Sequence, residues 1–170
     1  MDGLSAAELG RQIGTGERDP VDLAEAYLEA ADSETGRAIY ARMMPERALS
    51  EAKAAAVRAK AGTRRGPLDG VPISWKDLFD TAGVATESGV RRLEGGVPDQ
   101  DALVLARAAR AGLLALGKTH QTELACAGLG LNPCTSTPPN IHDPALAPGG
   151  SSSGAASSVS HGMAAAGIGS

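Results

Sequence analysis

The residues best suited to chemistry are a lysine and a run of serines that begins 75 positions later. Lys76 ends the apolar run from Val71 to Trp75, and Ser151 opens the serine run. A lysine buried at the end of such a run loses solvation, which lowers its pKa toward neutrality, and a neutral amine accepts a proton from a serine hydroxyl. Lys76 and Ser151 together therefore predict a proton relay.

The serine cluster, residues 149–154, fits other kinds of segment when it is taken alone. Its Gly-Gly-Ser-Ser-Ser-Gly sequence is typical of a flexible linker, but a proline-rich loop precedes it and an Ala/Ser-rich helix follows, which places it inside a domain. A phosphate loop would need Lys and Ser or Thr where Ala155 and Ala156 stand. A G-x-S-x-G hydrolase turn would need a strand where Pro148 stands.

Composition and charge exclude several classes of protein. Hydrophobic residues make up 42% and charged residues 21% of the chain, as in ordinary globular proteins. The net charge is −4 with scattered basic residues, so nucleic-acid binding has no electrostatic basis. No run approaches about 18 apolar residues, and the N-terminus lacks a signal-peptide pattern. We expect a cytoplasmic protein that binds neither nucleic acid nor membrane.

The two cysteines, Cys126 and Cys134, are too far apart for a C-x-x-C redox pair or a zinc knuckle. We interpret both as small, buried hydrophobic residues. The sequence predicts no metal site and no cofactor.

The chain changes character near residue 62, from mainly helical (1–62) to an α/β segment (63–170). Helix starts are indicated by Ser5 with Glu8 as a capping box, by Asp19 with Pro20, and by Pro45. The later segment contains the apolar runs 71–75 and 113–116, with an amphipathic helix between them at 101–112. Helix followed by buried strand predicts an α/β fold with a largely parallel sheet, and residues 164–170 are predicted to form a buried strand.

Taken jointly, the motifs resemble the amidase signature family. The matching residues are Gly70-Val71-Pro72 with Lys76-Asp77, Gly117-Lys118-Thr119 with Glu123, and Pro148-Gly149-Gly150-Ser151-Ser152. The resemblance extends from about Pro20 to Ser170. It implies an α/β/α sandwich around a mixed sheet, preceded by N-terminal helices. Residues 1–170 would be the N-terminal part of a single amidase domain, incomplete at the C-terminus.

The resemblance also implies roles for individual residues. The family hydrolyses amides with a Ser-Ser-Lys triad, in which Lys76 corresponds to the base and Ser151 to the bridging serine, held in a cis peptide. Ala125 and Ser152 correspond to substrate-binding positions. The attacking serine is expected about five residues beyond Ser170, so we expect no turnover from the 170-residue chain alone.

Two hypotheses follow from the resemblance. The first is a stand-alone amidase that acts on a linear small-molecule amide, with a homodimer as the assembly to test. The alternative is a component similar to the A-type subunit of a transfer-RNA-dependent amidotransferase, or a non-catalytic fragment. The segment Leu129–Pro133 is more similar to the stand-alone enzymes. The sequence does not specify the acyl group.

Overall fold

One mixed sheet of four strands, in the order β1–β3–β2–β4, forms the centre of the computed structural model, which describes residues 3–170. The strands are β1 (Tyr40–Met43), β2 (Pro72–Lys76), β3 (Leu114–Thr119) and β4 (Ala166–Ile168). β2 pairs in parallel with β3 and β4, whereas β1 pairs antiparallel with β3. The predicted α/β fold with a mixed sheet is confirmed.

Residues 3–170 also contain six α-helices: α1 (Ala6–Thr15), α2 (Pro20–Ala31), α3 (Glu34–Ile39), α4 (Pro45–Lys60), α5 (Leu103–Ala111) and α6 (Ser153–Ser160). The helix starts predicted at Ser5, Asp19 and Pro45 are confirmed. The Ser5 hydroxyl accepts the Glu8 N–H at 3.2 Å, and the Asp19 carboxylate accepts the Val21 N–H at 2.8 Å. None of these helices is both long enough and apolar enough to span a bilayer.

The central strands are buried along their whole length, because helices pack on both sides of them. Every residue of β2 and β3 is buried. Ile73 and Trp75 of β2 pack with Leu105 of α5. Leu114 of β3 packs instead with alanines of α2 and α4, whose small side chains let the two helices approach closely. Small aliphatic residues thus form this part of the core, in a chain whose residues are only 2% aromatic.

Two local predictions need correction, and one local feature was not predicted. The pair formed by α3 and the antiparallel edge strand β1 was not predicted, because a four-residue strand gives too little alternation to recognise. The buried strand predicted at residues 164–170 is only the three-residue β4, which is half-buried because it has a partner on one side only. The two cysteines are not both buried, since Cys126 is exposed and Cys134 half-buried.

Candidate active site

Lys76 is the last residue of β2 and has no exposed surface. Its Nζ donates hydrogen bonds to Ser151 Oγ at 2.6 Å and to Ser170 Oγ at 2.8 Å. Burial lowers the pKa of Lys76 below its ordinary value. The structure therefore places a lysine whose pKa is lowered by burial in direct contact with two serine hydroxyls.

Ser151 is reached through a cis peptide bond from Gly150. Its backbone carbonyl accepts the Thr122 N–H at 3.1 Å. The preceding residues are also anchored, since the Gly149 N–H donates to Leu129 O at 3.1 Å and the Gly150 N–H donates to Gly128 O at 2.8 Å. The segment after β3 thus holds the backbone on both sides of the cis bond.

Glycine is required where the segment after β3 meets the residues that precede Ser151. Gly130 has a φ of +82°, and a Cβ there would lie 2.1 Å from the carbonyl oxygen of Gly149. A Cβ on Gly150 would lie 2.8 Å from Gly130 Cα. The close approach of two backbones therefore fixes the position of Ser151.

Helix α6, which begins directly after Ser152, packs against the C-terminal ends of β3 and α3. Gly154, in the first turn of α6, donates its N–H to His120 O at 2.9 Å, and the His120 N–H donates to Ile39 O at 2.9 Å. A Cβ on Gly154 would lie 2.6 Å from His120 O. Since His120 follows β3, α6 begins at the carboxyl ends of the central strands, where ligand sites of α/β proteins commonly lie.

Ser152 and Ser170 form a second contact beside the lysine. Ser152 Oγ donates to the Ser170 carbonyl at 3.2 Å and accepts the Ser170 N–H at 3.1 Å. Ser152, predicted as a substrate-binding residue, thus contacts backbone rather than Lys76. The contact between Ser170 and Lys76 was missed in the sequence, because it depends on the parallel pairing of β4 with β2, which no local pattern predicts.

Ala125, the other predicted substrate-binding residue, lies in the short 3₁₀ turn Glu123–Ala125. Both Leu124 and Ala125 have left-handed backbones, with φ of 48° and 57°. The turn begins directly after Thr122, whose N–H binds the Ser151 carbonyl. Ala125 is half-buried, three residues from that contact. The turn therefore lies beside the serine cluster.

His120 lies at the same edge of the sheet. Burial, together with the positive charge of Arg42, lowers the pKa of His120 to about 4. His120 is therefore neutral near pH 7.

Comparisons with known proteins point to one family. Residues 22–170 match the protein-family model described as Amidase. Among curated proteins, the A-type subunit of glutamyl-tRNA(Gln) amidotransferase from Thermobifida fusca is 38% identical over 157 residues, which cover 92% of this chain and 32% of that protein. The corresponding protein of Anaeromyxobacter dehalogenans is also 38% identical, over 98% of this chain and 34% of its own length. The chain thus spans about a third of the length of these relatives.

Solved structures agree as well. The peptide amidase of Stenotrophomonas maltophilia superposes with a TM-score of 0.84 at 31% identity, over 94% of this chain and 34% of that one. A structure described as an amidase gives a TM-score of 0.87 at 35% identity, over 98% of this chain and 38% of that one. The four-stranded sheet with its surrounding helices is thus shared with enzymes named for amide chemistry.

Proposed function

The chain belongs to the amidase family, and from this membership we propose that it supplies the base and the bridging serine of a Ser-Ser-Lys centre for amide hydrolysis. The contact of 2.6 Å between Lys76 Nζ and Ser151 Oγ carries the proposal. A buried lysine with a lowered pKa is neutral in a larger fraction of molecules, and only the neutral amine has a lone pair to accept a proton.

In the proposed mechanism, Lys76 accepts the hydroxyl proton of Ser151. Ser151 in turn takes the proton of a second serine, whose oxygen attacks the amide carbon to form a tetrahedral intermediate. Collapse of the intermediate breaks the C–N bond, and the leaving amine carries away a proton returned through Ser151. Water then attacks the acyl-enzyme and releases the acid. Ser170 keeps Lys76 Nζ directed at this edge of the sheet.

The attacking serine is proposed to lie outside residues 1–170. The relatives are about three times as long as the matched segment, and the family pattern that would begin at Gly169-Ser170 ends in a serine about five positions further on. We therefore propose that residues 1–170 alone do not hydrolyse amides. The substrate is a small-molecule amide bound near Ala125 and Ser152, and two free cysteines, one of them exposed, fit a reducing compartment such as the cytoplasm.

The test compares residues 1–170 with the product of the complete coding sequence, using release of ammonia from short aliphatic and aromatic amides. Activity is expected only in the complete product. There, Lys76→Ala and Ser151→Ala are each expected to lower kcat by about 10³-fold or more. Clear turnover by purified residues 1–170, or full activity of Lys76→Ala, would refute the assigned roles.

A second candidate function is that of one component of an amidotransferase. It is favoured by the names of the curated relatives, which are A-type subunits of glutamyl-tRNA(Gln) amidotransferases. Under this alternative, the chain works only inside an assembly. Affinity purification of the tagged protein from its native cells distinguishes the two. A stoichiometric partner chain is expected for the amidotransferase component, whereas a homodimer or monomer is expected for the stand-alone amidase.

A further inference from the structure

A second lysine without exposed surface, Lys118, lies on the strand next to Lys76. Lys118 of β3 is paired with Trp75, the residue before Lys76 on β2. Cross-strand partners project from the same face of a sheet, whereas successive residues project from opposite faces. The two lysines therefore leave the sheet on opposite sides, and Lys118 has surroundings of its own.

Lys118 is compensated by an acidic residue that follows Lys76 directly in the chain. Its Nζ lies 3.2 Å from Asp77 Oδ1 and donates to Thr86 Oγ1 at 2.8 Å. Asp77 Oδ2 accepts the Glu87 N–H at 3.2 Å and lies 3.6 Å from Arg42 Nη1. Moving Asp77 away from Lys118 would leave a buried charge without compensation, which is unfavourable. These contacts therefore hold Asp77 in place.

The backbone of Asp77 is anchored to two further segments. Its N–H donates to Thr119 O at 3.1 Å, and its carbonyl accepts the Ser88 N–H at 2.9 Å. Side-chain and main-chain contacts of one residue thus determine where β2 ends. Lys76 extends from that end, so the direction of its side chain depends on Asp77.

The same contacts continue toward the bridging serine. The Ser88 carbonyl accepts the Leu124 N–H at 3.0 Å. Two residues earlier, the Thr122 N–H donates to the Ser151 carbonyl at 3.1 Å. A chain of short contacts therefore connects Asp77 with the backbone of Ser151 through Ser88.

We propose that Asp77 and Lys118 are positioning residues for the amidase centre, holding the Lys76 amine and the Ser151 hydroxyl in register from the opposite face of the sheet. The inference rests on the proposed function of Lys76 and Ser151. Removing either charge frees the end of β2 and the segment at residues 86–88. Water then reaches Lys76, and its distance to Ser151 is no longer fixed.

A purely electrostatic effect of Asp77 and Lys118, without movement of Lys76, predicts different changes in the pKa of Lys76. Asp77 is faced by Lys118 and Arg42, and Lys118 is faced by Asp77, Arg42 and Asp80, with Glu87 nearby. If only the charges mattered, removing the cation at 118 would raise the pKa of Lys76, and removing the anion at 77 would lower it. A positioning role predicts that both changes raise it, because both admit water to Lys76.

The experiment is a pH titration by NMR of the full chain carrying ¹³Cε-labelled lysine. The chain contains Lys53, Lys60, Lys76 and Lys118, and the Lys76 signal is assigned by its loss in Lys76→Met. In Lys118→Met and in Asp77→Asn, the Lys76 midpoint is expected to rise toward the ordinary lysine value by about one pH unit. In the product of the complete coding sequence, kcat is expected to fall about tenfold or more, with KM changed less than about threefold.

Arg47→Met is the matched control. Arg47 lies on α4 rather than at the end of β2, and it forms a partly buried ion pair with Asp101 at 2.7 Å. Its loss is expected to lower Tm without moving the Lys76 midpoint. Thr86→Val is a milder variant, which removes only the hydrogen bond that Lys118 donates to Thr86. It is expected to shift the Lys76 midpoint less, in the same direction, and it replaces Lys118→Met if that variant does not fold.

Three results would overturn the positioning role: an unchanged Lys76 midpoint in folded Lys118→Met or Thr86→Val, shifts of opposite sign in Lys118→Met and Asp77→Asn, or an equal shift in Arg47→Met. Failure of the proposed function looks different. In that case the unsubstituted chain itself shows Lys76 titrating at the ordinary lysine value, or the complete product hydrolyses no amide.

Discussion

Lys76 and Lys118 are the same residue type in the same state of burial, yet their neighbours give them different chemistry. Burial lowers the pKa of both, but the Asp77 carboxylate opposes that shift at Lys118. Lys76 contacts hydroxyl groups instead of a carboxylate. The carboxylate favours the charged form of Lys118, whereas no anion favours the charged form of Lys76, which suits a base.

A buried lysine without an anionic partner costs stability, so Lys76→Met is expected to stabilise the fold, and in the product of the complete coding sequence it is expected to abolish amide hydrolysis. The pKa of Lys76 is lower in the folded than in the unfolded chain, so unfolding takes up a proton at pH values between the two. Stability thus falls as pH drops below the ordinary lysine pKa, and the methionine variant avoids this loss. Thermal unfolding at pH 7 is expected to show a Tm higher by roughly 2–4 °C.

The control for this prediction is Lys53→Met, at an exposed lysine of α4. Its Tm is expected to change little at pH 7. A lower Tm for Lys76→Met than for the unsubstituted chain would show that the two hydrogen bonds from Lys76 outweigh the cost of burying it.

The sequence predicted that Lys76 and Ser151 lie in contact, but not all of the contacts of the two lysines. The joint motif selected Lys76 and Ser151, and the structure places Lys76 Nζ 2.6 Å from Ser151 Oγ. Ser170 as a second partner of Lys76, and Asp77 as the partner of Lys118, were not predicted. Both contacts depend on strand register, and register is not encoded in any short stretch of sequence.

Among the elements of the fold, the serine cluster owes its shape to the segment that follows β3. The carbonyls of Gly128 and Leu129 accept two hydrogen bonds from the backbone N–H groups of residues 149–150, and Gly130 packs closely against Gly149. Gly130→Ala is expected to break this contact, because the new Cβ would meet Gly149 O at 2.1 Å and because alanine is strained at a φ of +82°. A loss of about 2 kcal/mol or more in unfolding free energy is expected from urea denaturation.

Gly128→Ala is the matched control, two residues away in the same segment. A Cβ at Gly128 would meet nothing within 4 Å. We expect its unfolding free energy to change by less than about 0.5 kcal/mol. Equal losses in both variants would mean that the segment as a whole, rather than the close approach at Gly130, determines stability.

Helices were easier to predict than strands, for a physical reason. The starts of α1 and α2 are signalled by their own caps, Ser5 and Asp19, which bind backbone N–H groups two or three residues away. Edge strands such as β1 and β4 carry no equivalent local signal. Their existence depends on pairing with β3 and β2, which are distant in sequence.

For the molecule as a whole, ion pairs connect the N-terminal helices with the α/β segment. Arg58 of α4 donates two hydrogen bonds to Asp69, at 2.8 and 2.5 Å, and Arg47 does the same to Asp101. Burial works against ionisation of Asp69, but hydrogen bonds from Arg58 and the Arg65 N–H lower its pKa overall. The Arg47 guanidinium lowers the pKa of Asp101. Both pairs therefore stabilise the fold only while the carboxylates are ionised.

Acid is expected to destabilise the molecule in two stages, and His120 accounts for the first. Its pKa is 6.5 in a model peptide and about 4 in the fold, so the unfolded chain binds the proton more tightly, and stability is lost as pH falls from 6.5 to 4. The whole shift would correspond to ~3 kcal/mol, which partial exposure reduces to about 1–2 kcal/mol. The Asp69 and Asp101 contributions are lost only below about pH 4, the ordinary aspartate range.

His120→Asn separates the stages, because asparagine does not titrate. Urea denaturation at pH 7, 5.5 and 4.5 is expected to show unfolding free energies that decline less steeply with acidity than in the unsubstituted chain. His142→Asn, at an exposed histidine, provides the matched control and should retain the steeper decline. Parallel profiles for His120→Asn and the unsubstituted chain would assign the loss between pH 6.5 and 4.5 to other groups. A flatter profile would show that the half-buried imidazole of His120, near the charge of Arg42, limits the stability of the fold in mild acid, since Asp69 and Asp101 stay ionised throughout that range.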